Sequence, residues 1–182
     1  MLSYRLYFKN KNKLNYVTMY NLFFTDFFLL LDNNINLKKQ FNKHMKNDFI
    51  KQLNIKPPKS IFELWKNNKT FYNKKMRICI LIHKKKYIGS FRYYKSKFSN
   101  IFNFKLDNKT YIKIDIVYII PKYRNLGLAY NMLLKILDNK FNFLLVVDNN
   151  NTKAYNLYKK LGFTKKKSNN EITILVKNKL LL

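Results

Sequence analysis

The chain has 182 residues and a formal net charge of +28, with 37 lysines and arginines against 9 aspartates and glutamates. This length suits one domain with a sizeable core, so we expect a single domain over residues 1–182. Such a charge would suit nucleic acid or an anionic surface. However, lysine and asparagine are spread along the whole chain, as an AT-rich genome would produce, and only four of the basic residues are arginines. Nucleic-acid binding is therefore kept as an alternative explanation of the charge.

Cysteine and histidine usage argues against a metal site or a disulfide framework. Cys79 is the only cysteine, which indicates a reducing compartment such as the cytoplasm. His44 and His83 lack ligand-like neighbours in the sequence, so we interpret them as structural or solvent-facing and expect no metal. The apolar run of residues 22–31 contains polar residues and is shorter than the roughly 20 residues that a membrane span needs. It predicts a buried helix and no transmembrane segment.

The first part of the chain predicts strands followed by two helices. Residues 4–8 alternate like a short strand, or like a tail that folds over a ligand, and residues 15–21 predict a strand. Residues 23–31 predict a helix. Residues 37–53 place apolar side chains at helical spacing and predict a second helix, which the prolines that follow bring to an end. Residues 60–73 are interpreted as a linker.

The middle of the chain predicts a hairpin. Residues 77–82 and 87–94 are two strand-like runs joined by a charged turn. Gly89 lies inside the second run, where a glycine indicates a bulge or a close approach by another group. Residues 98–109 are interpreted as a polar loop or an irregular edge strand.

The central stretch predicts a strand that leads into a helix. Residues 111–120 form a β-branched, aromatic-rich run that a proline ends, and residues 128–137 have helical periodicity. Between them lies RNLGLA, residues 124–129, whose small residues would let backbone N–H groups approach an anion at a helix N-terminus. Arg124 adds a full positive charge. The segment predicts a pyrophosphate site, although it matches neither the glycine-rich dinucleotide motif nor the P-loop.

The last part of the chain completes a mixed sheet. Residues 141–147 predict a buried strand of the parallel type, and residues 152–161 predict a helix that Gly162 stops. Residues 163–166 and 171–177 predict a closing hairpin. The order of these elements predicts an α+β fold, with a mixed, mostly antiparallel sheet, a parallel central pair and flanking helices.

Two segments resemble motifs of the GNAT superfamily of acyl-CoA N-acyltransferases. PKYRNLGLA, residues 121–129, resembles the acyl-CoA motif of that family. NNNTKAYNLYKKLGF, residues 149–163, resembles the motif that follows it. The resemblance implies the GNAT acyl-CoA N-acyltransferase fold, in which the two central strands splay and pantetheine lies between them. It also implies an enzyme that uses acyl-CoA as co-substrate.

A longer segment points to one branch of this superfamily. IDIVYIIPKYRNLGLAYNML, residues 114–133, resembles the glycylpeptide N-myristoyltransferases, which share the fold, and weaker likenesses run through residues 15–58. This implies transfer of a fatty acyl group from myristoyl-CoA to an N-terminal glycine of a protein or peptide. Pro121, Leu126 and Gly127 instead resemble ordinary acetyltransferases. The alternative is therefore N-acetylation of a protein or small-molecule amine with acetyl-CoA, and the non-enzyme alternative is a basic module that binds nucleic acid or an anionic surface.

The resemblance also implies catalytic roles for particular residues. The backbone N–H groups of Ile116 and Val117 would form an oxyanion hole. Asp115 would orient the attacking amine or accept its proton, unless it is a strand-edge residue bonded to a neighbouring lysine. Tyr158 would protonate the leaving thiolate. The C-terminal carboxylate of Leu182 is a second candidate base, and the enzyme would act as a monomer or a homodimer.

The cofactor site would involve the same strand and the loop after it. The backbone of Val117 and Ile119 would pair with pantetheine. The residues expected to bind the cofactor are Val117, Tyr118, Ile119, Arg124, Asn125, Leu126, Gly127, Leu128, Ala129, Asn151 and Tyr155. The four phenylalanines of residues 23–28 would line a tunnel for a long acyl chain, or would simply belong to the core.

Overall fold

The computed structural model describes residues 2–7, 16–53, 76–98, 100–101 and 104–180. The chain divides into two compact units, one formed by Met1–Ser90 and Tyr118–Arg124, the other by Phe91–Val117 and Asn125–Leu182. The chain therefore passes between the units three times. The single domain over residues 1–182 stays a prediction.

The first unit is a sheet with two helices. Its elements are β1 (Leu2–Tyr7), β2 (Tyr16–Phe23), α1 (Phe24–Asp32), α2 (Ile35–Leu53), β3 (Arg77–His83), the start of β4 (Lys86–Lys97), the end of β7 (Thr110–Ile119) and a 3-10 helix (Pro121–Tyr123). The strand order in this unit is β1-β2-β3-β4-β7. The pairs β1/β2 and β2/β3 are antiparallel. The predicted strands and helices of this region are confirmed, and the N-terminal alternating run is a strand.

The aromatic run in α1 supplies the core of this unit. Phe27 is fully buried and Phe28 is 4% exposed. The ring of Phe27 meets that of Phe41 of α2 edge-on at 5.2 Å. Phe23 is instead exposed, with the guanidinium of Arg77 4.0 Å from its ring centre. Two of the four phenylalanines considered for an acyl tunnel therefore pack in the core, and the side chain of Phe24 lies outside the described part.

The hairpin of β3 and β4 is confirmed. Its turn and the glycine in β4 each have a physical cause. Lys84 and Lys85 have φ angles of 47° and 62°, the pattern of a type I′ turn, which suits the right-handed twist of the strands. At Gly89 a Cβ would lie 2.3 Å from the carbonyl oxygen of Tyr118. The predicted close approach is thus made by the backbone of β7.

The second unit contains the rest of the sheet. Its elements are the remainders of β4 and β7, the short strands β5 (Asn100–Ile101) and β6 (Phe104–Lys105), α3 (Leu128–Leu134), β8 (Phe143–Asp148), α4 (Thr152–Lys160), β9 (Thr164–Ser168) and β10 (Ile172–Lys177). The order in the main sheet is β4-β7-β8-β10-β9. The strand β10 is antiparallel to both β8 and β9, whereas β7 and β8 are parallel. The predicted mixed sheet is confirmed.

The parallel pair has a short ladder. Residues 112–113 of β7 pair with residues 143–144 of β8, whereas β7 continues to Ile119 and β8 to Asp148. The pairing therefore lies at the start of both strands, and their C-terminal halves extend beyond it. This agrees with the splayed pair that was expected.

Two element boundaries differ from the predictions. The helix predicted over residues 128–137 ends at Leu134, because the N–H groups of Ile136 and Leu137 both bond the carbonyl of Leu133 in a tightened turn. Residues 98–109 include β5 and β6, which pair with each other. The predicted linker over residues 60–73 lies outside the described residues. No helix in the described part of the chain has the length and apolar character that a membrane crossing needs.

Candidate active site

The strand β7 has an unusual backbone at the position expected to bind the reacting carbonyl. Ile116 has a φ angle of 50°, a left-handed conformation that costs an L-residue roughly 1–2 kcal/mol. The left-handed conformation is rarer still for residues with a β-branched side chain. Such strain is concentrated at functional sites. Because it interrupts the regular strand geometry, the N–H groups of Ile116 and Val117 depart from the alternation of an ordinary ladder.

A buried ion pair lies immediately before this point. Arg92 of β4 donates from Nε to Oδ1 of Asp115 at 2.9 Å and from Nη2 to Oδ2 at 3.0 Å. The side chain of Arg92 is 5% exposed and that of Asp115 is 21% exposed. Both oxygens of Asp115 are thus engaged by an arginine, not by the neighbouring lysine considered from the sequence. Because the guanidinium engages both carboxylate oxygens, this contact fixes the orientation of the Asp115 side chain.

Arg92 was not among the residues identified from the sequence. It lies 23 positions before Asp115, and only the register between β4 and β7 brings the two together. Arg92 is one of only four arginines in a lysine-rich chain. Because arginine forms bidentate pairs with carboxylates, this could have indicated an ion pair with an acidic residue.

Tyr158 of α4 has the environment of a proton donor. It is 7% exposed, and its ring lies 6.1 Å from that of Phe163. Burial raises the pKa of Tyr158 to about 12, so the phenol stays protonated throughout the neutral range. No residue in the described part of the chain forms a hydrogen bond with its hydroxyl, which leaves that hydroxyl able to donate to a bound group.

The start of α4 is well fixed. Asn151 caps the helix, since its Oδ1 accepts from the N–H of Ala154 at 3.1 Å. Its side-chain carbonyl is therefore used by the helix, and its NH₂ group remains for a ligand. Tyr155 is half-buried and lies three residues before Tyr158, so the two share a helix face.

The loop before α3 has the backbone of an anion site. Asn125 and Gly127 have φ angles of 61° and 72°, and left-handed residues in a loop turn successive N–H groups toward one side. Both are exposed, Leu126 and Ala129 are half-buried, and Leu128 is buried at the start of α3. The helix has seven residues, so an anion bound here would depend on the loop amides more than on the helix dipole.

The first unit contains the other predicted cofactor residues. Tyr118 and Ile119 are buried at the end of β7. The Nε of Arg124 donates to the carbonyl of Ile119 at 2.8 Å, and its guanidinium lies 5.7 Å from the Tyr118 ring centre. This holds the base of the guanidinium in place, while the exposed side chain can still present its Nη groups to an anion.

The same unit brings a histidine beside Tyr118. His44 of α2 is half-buried, with its ring 6.2 Å from that of Tyr87 and 6.5 Å from that of Tyr118. Burial, followed by the charges of Lys43 and Lys122, lowers the pKa of His44. Sequence reasoning had no basis for singling out His44, because its position depends on which face of α2 packs beside Tyr118.

The predicted site residues thus fall in two groups. The second unit contains Asp115, Ile116, Val117, Asn125, Leu126, Gly127, Leu128, Ala129, Asn151, Tyr155 and Tyr158, and the first contains Tyr118, Ile119 and Arg124. The chain connects them directly, from Val117 to Tyr118 and from Arg124 to Asn125. Leu182, the other candidate base, lies outside the described residues.

Comparison with known proteins gives a family match. The profile of the acetyltransferase (GNAT) family matches residues 38–163, more than half of the chain. No curated relative matches the sequence.

Solved structures resemble the fold. Arabidopsis thaliana NAA60 in complex with acetyl-CoA is 12% identical, with a TM-score of 0.58, over 88% of this chain and 97% of that one. Arabidopsis thaliana Naa50 with the bisubstrate analogue CoA-Ac-MVNAL is 15% identical, with a TM-score of 0.54, over 89% and 98%. The GNAT domain of S. lividans PAT is 10% identical, with a TM-score of 0.63, over 96% of both chains. The expected GNAT fold is confirmed.

Proposed function

Because the chain belongs to the acetyltransferase (GNAT) family, and is thus an acyl-CoA-dependent acyltransferase, we propose that it transfers the acetyl group of acetyl-CoA to the α-amine of a peptide N-terminus. The observation that carries this proposal is the strained backbone at Ile116, in the strand where the family resemblance expects the thioester. A requirement to present backbone N–H groups to a reacting oxygen accounts for this strain.

Two observations favour acetyl over myristoyl transfer. Phe27 and Phe28, which would have lined a long acyl tunnel, are buried and pack against each other at 5.5 Å. Among the structures with a similar fold, NAA60 holds acetyl-CoA and Naa50 holds a conjugate of CoA, an acetyl group and a peptide. The peptide in that conjugate begins with methionine, so a glycine N-terminus is not favoured as the acceptor.

The proposed reaction is direct acyl transfer. The acceptor amine attacks the thioester carbonyl carbon, so that a C–N bond forms while the carbonyl electrons move onto oxygen. The N–H groups of Ile116 and Val117 would stabilise this oxyanion, each contributing about 3–4 kcal/mol to transition-state stabilisation. The C–S bond then breaks, and the thiolate takes a proton from Tyr158. The nitrogen that attacked gives up one proton to water, and the Tyr158 phenolate regains a proton from water. The products are an N-acetyl amide and free CoA.

The cofactor would be held mainly by backbone groups. Pantetheine would pair with the backbone of Val117 and Ile119 beside Tyr118, and the pyrophosphate would bind Arg124 and the N–H groups of residues 125–129. Asn151 and Tyr155 would contact the pantetheine arm from the start of α4. Asp115, fixed by Arg92, would orient the incoming amine.

The decisive experiment offers acetyl-CoA and myristoyl-CoA separately to the protein and follows release of free thiol. The acceptors are peptides that begin with methionine, serine or glycine, each with an α-amine-blocked copy as control. We expect thiol release with acetyl-CoA and a free α-amine, and none with the blocked peptides.

Other outcomes would reject particular parts of the proposal. Turnover with myristoyl-CoA alone would reject acetyl transfer in favour of the fatty acyl branch. Equal turnover with free and blocked peptides that contain lysine would reject the α-amine as acceptor. If neither acyl-CoA gives turnover or raises the melting temperature, the enzyme function itself is rejected.

A further inference from the structure

The second unit has a basic edge that the proposed acyl transfer does not use. Residues 159–170 contain five lysines and no acidic residue, whereas the whole chain carries +28 over 182 residues. These five exposed residues form the lysine edge: Lys159, Lys160, Lys165, Lys166 and Lys167. We propose that the lysine edge binds the phosphate backbone of a nucleic-acid duplex. This binding goes beyond the proposed function, since it needs neither acyl-CoA nor an acceptor amine.

Three of these lysines lie on β9, the last strand of the main sheet. All five residues of β9 are exposed, and β10 is its neighbour in the sheet. Lys165 is opposite Leu175 of β10 and Lys167 is opposite Ile174, with an irregularity between the two pairs. Opposite residues of an antiparallel pair share a face, and successive residues of a strand point to opposite faces. The lysines therefore extend from both faces of β9, where a polyanion that lies along the edge can reach them.

The end of α4 adds positive charge beside this strand. Lys159 and Lys160 are in the last turn of α4, two residues before Gly162. The Nζ of Lys177 of β10 lies 3.0 Å from the position that a Cβ on Gly162 would occupy. Lys177 is two residues beyond the partner of Lys165 in β10, so these two lysines share a face. The helix end and the two strands thus present ammonium groups on the same side of the second unit.

Acidic side chains neutralise little of this charge. Lys166 donates to Oδ2 of Asp107 at 3.3 Å, and the same carboxylate also pairs with Lys109 at 3.4 Å. In the described part of the chain, the other four lysines of the edge have no acidic partner within ion-pair distance. Lysines on an edge strand discourage pairing with another chain, and lysines at a helix C-terminus complement its dipole. Neither role requires twelve successive residues without an acidic side chain.

The side chains around the lysine edge favour a duplex over single-stranded nucleic acid or a membrane. The structure describes all of residues 152–177, and no aromatic ring among them is exposed: Tyr155 is half-buried, and Tyr158 and Phe163 are buried. Proteins bind single strands largely by stacking bases on such rings. No large apolar side chain in this range is exposed either, whereas a segment that lies in a membrane interface inserts apolar side chains.

A duplex offers the charge that this edge lacks. It carries one phosphate charge per roughly 1.7 Å of its axis, and lysine ammonium groups bind phosphates as point charges. Residues 152–177 contain no arginine, the residue that forms bidentate contacts with guanine. The lysine edge should therefore bind DNA and RNA duplexes with little dependence on their sequence.

The test measures the affinity of the whole protein, without acyl-CoA, for fluorescein-labelled DNA and RNA duplexes by fluorescence anisotropy. The duplexes have about 20 base pairs, and the NaCl concentration is varied from about 50 mM to about 200 mM. The edge variant carries Lys160→Gln, Lys165→Gln and Lys167→Gln, which leaves Lys166 paired with Asp107. It should weaken binding by about 10-fold or more at about 100 mM NaCl. It should also reduce the slope of log K against log salt by about 3, one for each lost lysine.

A matched control removes the same amount of charge elsewhere. The turn variant carries Lys84→Gln, Lys85→Gln and Lys86→Gln in the hairpin turn of the first unit, and should lose less than about 2-fold in affinity. Equal losses in the two variants would overturn the proposal, because net charge alone would then explain the binding. Binding of the wild type to neither duplex would overturn it as well.

A footprint on the wild type keeps the test decisive if the edge variant does not fold. Lysines are acetylated chemically with an N-hydroxysuccinimide ester, with and without the duplex, and each site is quantified by mass spectrometry. The duplex should protect Lys160, Lys165 and Lys167 and leave Lys84 and Lys86 unprotected. Unchanged labelling of the lysine edge would contradict the proposal. So would tighter binding to a single strand of the same length, or to vesicles of phosphatidylcholine and phosphatidylserine.

Discussion

At the scale of single residues, β7 has a strained residue, Ile116, next to an aspartate, Asp115, that pairs with the buried Arg92 of β4. A left-handed Ile116 costs roughly 1–2 kcal/mol, and a buried guanidinium such as that of Arg92 costs several kcal/mol unless it is paired. The bidentate contact between Arg92 and Asp115 offsets the second cost. It also fixes the residue next to the strained one. The pair thus helps to keep β7 in register where its backbone becomes irregular.

The unequal burial of this pair predicts an unequal response to mutation. Asp115→Leu removes the carboxylate that accepts from both Nε and Nη2 of the more buried partner, Arg92, and should lower the free energy of unfolding by about 3–5 kcal/mol. Arg92→Met leaves an aspartate that still reaches solvent and should cost about half as much. The double variant should be more stable than Asp115→Leu alone. Urea unfolding of the three variants measures this, and additive effects of the two substitutions would contradict it.

Tyr158 gives a prediction about the chemical step. Tyr158→Phe removes the proton donor but keeps the buried ring against Phe163. We expect kcat for acetyl transfer to fall by about 100-fold, with little change in KM for acetyl-CoA. Because the pKa of Tyr158 is raised to about 12, the wild type should show no loss of activity from this group as the pH rises through the neutral and mildly alkaline range. Steady-state kinetics on wild type and variant test both expectations.

The control for that prediction is Tyr94→Phe, which removes a phenol from the same chain at a position in β4 outside the proposed site. Its kcat should equal that of the wild type. An unchanged kcat in Tyr158→Phe, with a folded protein, would show that the thiolate takes its proton from elsewhere.

At the scale of elements, two glycines are required for different reasons. Gly89 is required because another strand packs close to it, and Gly127 because of its backbone conformation. A Cβ on Gly89 would meet the Tyr118 carbonyl oxygen at 2.3 Å and the Ile119 side chain at 2.7 Å. A Cβ on Gly127 would make only an ordinary contact, 3.6 Å from Nδ2 of Asn131, but the φ angle of Gly127 is 72°. We therefore expect Gly89→Ala to destabilise the protein by about 2–3 kcal/mol through the displacement of β7. Gly127→Ala should cost only about 1 kcal/mol through its backbone conformation.

Thermal unfolding of the two alanine variants measures the difference. A Gly89→Ala variant as stable as Gly127→Ala would mean that β4 and β7 can move apart at little cost. In that case the close approach would not constrain the strands.

Local sequence predicted most elements because their apolar residues repeat with the period of a strand or a helix. It predicted the end of α3 wrongly, because Ile136 and Leu137 continue the same periodicity within a turn that bonds Leu133. Periodicity indicates which side chains point toward a core. A tightened turn after a helix can keep its side chains pointing toward the same core, so the pattern does not mark where the helix ends. The loop residues 125–129 were located by motif.

Arg92 and His44 could not be found in this way. Their contacts to Asp115 and Tyr118 join residues far apart in the chain, and only strand register and helix orientation bring them together. The tunnel considered for the phenylalanines of residues 23–28 had a similar weakness, since the same run of phenylalanines can line a tunnel or pack in a core.

At the scale of the whole molecule, the net charge of +28 is a cost to folding. Most of the lysines in the described part of the chain are exposed, and like charges within a Debye length repel each other. The melting temperature should therefore rise when the NaCl concentration is raised from about 20 mM to about 500 mM. Differential scanning fluorimetry in NaCl and in KCl checks that the effect comes from ionic strength. A melting temperature that falls with salt would mean that attractive ion pairs outweigh the repulsion.

The division of the chain into Met1–Ser90 with Tyr118–Arg124, and Phe91–Val117 with Asn125–Leu182, has a consequence for synthesis on the ribosome. The first unit lacks its second segment, Tyr118–Arg124, until residue 124 has been synthesised. By then the ribosome has also synthesised 27 residues of the second unit, Phe91–Val117. Neither unit can be completed as an uninterrupted nascent segment. A cut after residue 90 would leave the first fragment without a strand that belongs to it. Expression of either half alone should therefore give an unstable product, whereas co-expressed halves have what they need to reassemble.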